Sequence, residues 1–195
     1  MSEKFDDRFK IKSSRLIGWD YSNPGNYFIT ICTYLHNNFF GKIINNQMIL
    51  SDCGGIAKNE LLKTFAIRKN LELFAWVIMP NHIHILFAIR NIDVETHGNA
   101  SLLKNPKSIE VISNYRNHPN FYNKLNQRSN KIIPKTIKLF KGAVTRDCNQ
   151  SQIFFSWQPR YYDEIIQTQK RFYQIKNYII NNPKNWVMDK MYDPS

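Results

Sequence analysis

The stretch LELFAWVIMPNHIHILFAI, residues 71–89, decides the fold. Two apolar runs rich in β-branched and aromatic residues, 71–79 and 82–89, are joined at Pro80-Asn81, a pair that favours a tight turn. The pattern predicts two strands of a β-hairpin. On the second strand His82 and His84 stand two residues apart, so both imidazoles leave one face while Ile83 leaves the other. Two adjacent imidazoles hold a divalent ion when a third ligand arrives from elsewhere. A His-x-His pair on a strand is by itself more often structural or surface-exposed than metal-binding.

Working outward, the turn-like SNPGN (22–26) leads into YFITICTY (27–34), which reads as a strand. Ser51 or Asp52 caps a helix in which Ile56, Leu61, Leu62 and Phe65 approximate helical spacing. Downstream, residues 91–132 turn to Asn, Ser, Lys and His-Pro without periodicity and read as a surface insertion. Residues 133–150 predict a helix, 153–166 an extended stretch bent at Pro159, and 169–183 a helix stopped by Pro183. The order β-α-β-β-α-β-α predicts an α+β fold: a ferredoxin-like split βαβ with an antiparallel sheet and an additional C-terminal helix. A single domain over 1–195 is expected, with a basic segment at 1–22.

The chain carries 27 basic against 15 acidic residues, a net charge of +12 and a pI near 9.6. That excess favours a polyanionic partner, nucleic acid ahead of an anionic membrane. No apolar run is long enough to span a bilayer. Three separated cysteines, Cys32, Cys53 and Cys148, fit a reducing cytoplasm, and the charged run MSEKFDDRFKIKSSR has no apolar core of a secretory signal. Candidate phosphate contacts are Lys135, Lys138, Lys141 and Arg146 on the helix expected over 133–150, with Lys10, Lys12 and Arg15 near the N-terminus. Trp157, Arg160, Tyr161 and Tyr162 are candidates for contact with unpaired bases, although at least one of these aromatics belongs to the core. On the last helix Tyr178 shares a face with Gln174 and Asn182 and borders the apolar stripe Phe172, Ile175, Ile179. Taken alone, such a tyrosine more often closes the edge of a core than performs chemistry.

Three ordered runs carry more. WVIMPNHIHIL (76–86), WQPRYYDEII (157–166) and YIINNPKNW (178–186) together resemble single-tyrosine transposases with a His-hydrophobic-His (HUH) motif, in the branch of REP-associated tyrosine transposases. The resemblance covers most of residues 15–187 and is least in 91–132. It implies that His82 and His84 are metal ligands, that Asn182 is the third ligand and that Tyr178 is the catalytic nucleophile. It further implies Mg²⁺ or Mn²⁺ as cofactor, no nucleotide cofactor, and a 5′-phosphotyrosyl intermediate with a free 3′-OH. The implied partner is single-stranded or hairpin DNA in a bacterial cytoplasm. The wider family implies a homodimer, while members of this branch also act as a monomer. Glu164 and Gln167 stand where the family more often has His and Arg, which removes positive charge near the DNA. The acceptor of the Tyr178 proton stays open among a water beside the ion, Lys176 and Asp163. Two other readings share these features: a replication or conjugation relaxase, and a ferredoxin-like nucleic-acid-binding module without catalysis.

Overall fold

The computed structural model describes residues 23–91 and 132–192. Lys10, Lys12, Arg15, the rest of the basic segment and all but the ends of the expected 91–132 insertion lie outside the described residues. Within them run β1 (Gly25–Cys32), β2 (Gly41–Ile44), β3 (Gln47–Leu50), α1 (Asp52–Ala66), β4 (Leu71–Ile78) and β5 (His82–Ile89). Then follow α2 (Ile132–Gln150), β6 (Tyr162–Ile166), α3 (Gln169–Asn181) and a 3₁₀ stretch, Asn182–Met188. The main sheet has the order β4-β5-β1-β6, with every neighbouring pair antiparallel. Setting aside the β2–β3 hairpin, this is the expected ferredoxin-like split βαβ with one helix added at the end.

The sequence does not signal the β2–β3 hairpin, and the reason is local. Its strands are four residues each and half exposed. Its turn is Asn45-Asn46, both at positive φ (50° and 62°), the mirror-image turn that matches strand twist without the usual glycine. The expected strand over 153–166 shrinks to five residues, because the chain before it makes only an isolated bridge, Thr33 to Trp157.

Two cores form on opposite faces of the sheet. On one, Ile29 and Ile31 of β1 and Ile83, Ile85 and Phe87 of β5 pack against α1 and α2 through Ala57, Leu61, Ile137, Phe140 and Val144. On the other, Leu86, Ala75 and Ile166 meet Ile175 and Ile179 of α3. β5 is buried at all eight residues, which is why its sequence reads as a continuous apolar run rather than alternating. His82 and His84 share the alternation of Leu86, so they face α3.

Local signals fix the helix ends. The Ser51 hydroxyl accepts from Gly54 N at 3.1 Å and donates to the Phe39 carbonyl at 2.6 Å, while Thr168 accepts from Arg171 N at 3.2 Å. Gly54 lets α1 approach the chain at Phe40: a Cβ there would press into the Phe40 carbonyl oxygen, whereas a Cβ on Gly55 would meet nothing within 4 Å. The two neighbouring glycines therefore carry opposite expectations. In urea unfolding, Gly55→Ala should raise stability by up to about 1 kcal/mol, the helix-propensity difference. Gly54→Ala should lower it by about 1–3 kcal/mol. Stabilisation by Gly54→Ala would show that the close approach does not exist.

Candidate metal and tyrosine site

β5 and the turn before it set both imidazoles. Asn81 is fully buried and its amide nitrogen donates to the Met191 carbonyl at 2.8 Å, which fixes the amide's orientation. Its Oδ1 then faces His82 Nδ1 at 2.8 Å and can only accept. His82 is therefore the Nδ1–H tautomer, with a bare lone pair on Nε2. That Nε2 is buried and has no hydrogen-bond partner among the described residues. The two imidazole rings lie 4.4 Å apart, and Trp186 of the 3₁₀ stretch closes over His82 at 5.9 Å.

His84 is held from both sides. Its Nδ1 meets Thr30 Oγ1 at 2.8 Å, a contact set by the β1–β5 register, which pairs these two residues directly. Its Nε2 lies 3.1 Å from the Tyr178 hydroxyl on α3. That hydroxyl donates its only proton to Asp189 Oδ2 at 2.8 Å, so His84 Nε2–H is the donor in the other contact. Asp189 Oδ2 also accepts from Asn182 Nδ2 at 2.7 Å, and Oδ1 from Met191 N at 2.8 Å. Asn182 is 1% exposed, and its own Oδ1, turned away from the carboxylate, has no partner among the described residues.

His82, His84 and Asp189 each offer one ligand atom, all within 4.8 Å of one another. The buried orphan oxygen of Asn182 belongs to a side chain bonded directly to Asp189. Imidazole nitrogen with carboxylate and amide oxygen is a donor set suited to Mn²⁺ and acceptable to Mg²⁺. The neighbouring Asn81 and Thr30 orient the two imidazoles through contacts of the kind that partners beyond the ligand atoms make at metal sites.

Electrostatics keeps the imidazoles neutral. Burial first, and the charge of nearby His36 second, lower His82 to about 3. Burial also drives His84 well below its usual value, with His82 adding and Asp189 opposing. Burial pushes the Tyr178 phenol up, and the hydrogen bond to Asp189 and that residue's charge push it further.

His82, His84, Tyr178 and Asn182, all expected from the sequence, come together around one point. Beside them opens a cleft of ≈ 580 Å³ lined in part by Phe28, Tyr162, Gln174 and Arg171. Glu164 lies at this cleft and holds Arg171 through two contacts of 2.7 and 2.9 Å. The helix basic residues do not join the site. α2 packs on the opposite face of the sheet, so exposed Lys135 and Lys138 lie on the far side. Lys141 donates to the Gln158 carbonyl, and with Arg146 and Trp157 it lines a separate groove of ≈ 680 Å³. Trp157 is tied down by its indole N–H to the Lys141 carbonyl at 3.1 Å and by rings of Phe40, Phe140 and Phe155. Tyr161 packs against the same core, and Arg160 is exposed. The sequence reading missed Asp189 and Thr30. Asp189 sits in no motif, and Thr30 reads as one more β-former until the register is known.

No family model matches the chain. A protein of Haemophilus influenzae, described only as uncharacterized, is 35% identical over 184 residues, spanning 93% of this chain and 92% of that protein. Among solved structures, that of a REP-associated tyrosine transposase bound to a REP hairpin has a TM-score of 0.53 at 15% identity, covering 92% of this chain and 77% of that one. The two share a fold. No described helix is long and apolar enough to cross a membrane.

The neutral imidazoles have a consequence for stability. In the unfolded chain histidines take up protons near pH 6.5, whereas folded His82 resists until about 3. Acid therefore favours the unfolded chain across that window, and stability falls as pH drops through it. The urea midpoint should decline steadily below pH 6.5, and His82→Gln should show a shallower decline whatever its midpoint at neutral pH. Equal acid slopes for the two proteins would show that His82 is not held neutral.

Proposed function

We propose that this chain, which belongs to the same family as the Haemophilus influenzae protein, is a transposase-type enzyme that cleaves and rejoins single-stranded DNA through Tyr178. The observation that carries the reading is the single site itself. His84 and the tyrosine hydroxyl 3.1 Å from its Nε2 line one cleft. The buried His82 ring lies 4.4 Å from that of His84, and Asn182, with its orphan amide oxygen, is hydrogen-bonded to Asp189 of the same cleft. A binding module without catalysis has no use for buried unpartnered ligand atoms, which cost free energy unless something fills them. The fold shared with a hairpin-bound tyrosine transposase supports the same reading.

In this reading His82 Nε2, His84 Nε2 and Asn182 Oδ1 hold a divalent ion, with the Asp189 carboxylate alongside. The ion, when bound, polarises the scissile phosphate and offsets charge on its oxygens and on the leaving group. Burial keeps the imidazoles neutral, and Asn81 and Thr30 keep them aimed. With His84 Nε2 holding an ion, His84 would be in its Nδ1–H form and the Thr30 oxygen, 2.8 Å from that nitrogen, would accept its proton. The rigid helix α3 presents Tyr178 for in-line attack on phosphorus, displacing the 3′-oxygen and leaving a 5′-phosphotyrosyl bond. That ester conserves the bond for rejoining, so no nucleotide cofactor is required. The cleft beside Tyr178 receives the strand, with Tyr162 and Phe28 offering ring faces and Lys190 and Arg171 positive charge. The groove with Lys141, Arg146 and Trp157 lies behind the sheet and suits a duplex or hairpin stem held away from the cut.

Single-stranded DNA containing hairpins, incubated with the protein and Mn²⁺ or Mg²⁺, should give a protein–DNA adduct that survives denaturation. Tyr178→Phe should abolish it. His82→Ala and Asn182→Ala should each lower its rate by about 10-fold or more and raise the Mn²⁺ required, the range seen when groups that hold a metal are removed. An undiminished adduct from Tyr178→Phe would remove Tyr178 from the role of nucleophile.

A further inference from the structure

We infer that Asp189 takes the phenolic proton of Tyr178 as the tyrosine attacks phosphorus; this rests on the reading of Tyr178 as nucleophile. Three features of the geometry lead there. The Tyr178 hydroxyl already donates to Asp189 Oδ2 at 2.8 Å, within direct transfer distance. The carboxylate is held before the reaction begins, by Met191 N on Oδ1 at 2.8 Å and by Asn182 Nδ2 on Oδ2 at 2.7 Å. The phenol's other partner is His84 Nε2 at 3.1 Å, and that nitrogen is the one an ion would occupy. With that nitrogen taken up by an ion, Asp189 Oδ2 is the group that the hydroxyl proton already points to.

The hydroxyl enters the step with its proton directed at Asp189 Oδ2, 2.8 Å away. Proton loss must accompany bond formation, and it becomes downhill as the phenol oxygen gains its bond to phosphorus. In the step, the Tyr178 oxygen bonds phosphorus and its proton passes to Asp189 Oδ2. The bond from phosphorus to the 3′-oxygen breaks, and that oxygen takes a proton from solvent. In rejoining, the 3′-OH attacks phosphorus, solvent receives its proton, and protonated Asp189 returns a proton to the departing tyrosine. Asp189 thus acts as base and then as acid, the part a carboxylate plays toward an attacking hydroxyl in other phosphoryl transfers.

Asp189→Asn keeps the side chain's size and an oxygen for the Met191 contact while removing the acceptor charge. On hairpin DNA with Mn²⁺ its adduct should form about 100-fold or more slowly than wild type. Mn²⁺ binding measured calorimetrically without DNA should stay within about threefold, since the ligands of the preceding reading remain; about 1 kcal/mol would separate losses of fivefold or more. A ring-fluorinated tyrosine at position 178, whose phenol releases its proton more readily, should recover about tenfold or more of the Asp189→Asn deficit, a recovery that a merely structural role would not produce. Asp189→Asn reacting at the wild-type rate would overturn the inference while leaving Tyr178 as nucleophile. Parallel loss of Mn²⁺ binding and adduct, with no recovery by the fluorinated ring, would make Asp189 a metal ligand instead. No adduct from the wild-type chain would sink the nucleophile reading and this inference with it.

Discussion

The hydrogen bond between His82 Nδ1 and Asn81 Oδ1, 2.8 Å long, joins neighbouring residues across the end of a hairpin turn. It depends on Asn81 being fixed in turn by the Met191 carbonyl, 110 positions along the chain. Through that relay the turn, the second strand and the chain's last described residues settle one tautomer of one imidazole. Burial then prevents protonation from undoing the choice, since a charged imidazole there would lose its water without gaining a partner. The bare nitrogen that results is the feature around which the remaining site groups gather.

β5 can hold such a pair because it is sandwiched. Its odd residues, Ile83, Ile85 and Phe87, anchor to α1 and α2, so its even residues are free to carry polar groups toward α3 without loss of the main core. On that second face Leu86 packs with Ile175 and Ile179, which flank Tyr178 on the helix. The same contacts that hold α3 on the sheet therefore bring Tyr178 to His84. Stability and site geometry share one interface, and the helix position is set by apolar packing rather than by the polar contacts it makes possible.

Charge is divided by the sheet as well. The exposed lysines of α2 stand behind it, while the cleft beside Tyr178 has Arg171 already paired with Glu164. Glu164, one of the two positions where the sequence departs from the pattern it resembles, thus lies on the cleft's lining and ties up Arg171 without touching His82, His84, Asn182 or Tyr178. The surplus of positive charge in the sequence is a property of the whole chain and not a map of where a strand would lie.

Much of this was legible before any coordinates. Strand periods, the Pro80-Asn81 turn and the Ser51 cap are local signals, and they gave the element order and the ferredoxin-like arrangement. Pro183, expected to stop the last helix, instead lies in a 3₁₀ stretch that continues from it, with Asn182 still in the right-handed helical region. The pairing of His82 with His84 follows from strand alternation alone, and the ordered motifs pointed to Tyr178 and Asn182. The β2–β3 hairpin was not legible, because two asparagines at positive φ replace the expected glycine and its strands are too short to alternate clearly. Trp157 is held by Lys141 and three phenylalanine rings, an environment that the expectation of a core residue among the offered aromatics allowed but that strand alternation could not assign to it. Asp189 was invisible for a deeper reason. Its position depends on how the 3₁₀ stretch after α3 ends, kinked at Asn185, and its partners lie two, seven and eleven residues away, a spacing that no regular element repeats. Sequence by itself determined which residue types alternate on which face, since that is fixed by backbone geometry. Only the tertiary structure decided which of them meet, because long-range hydrogen bonds depend on where packing brings the elements to rest.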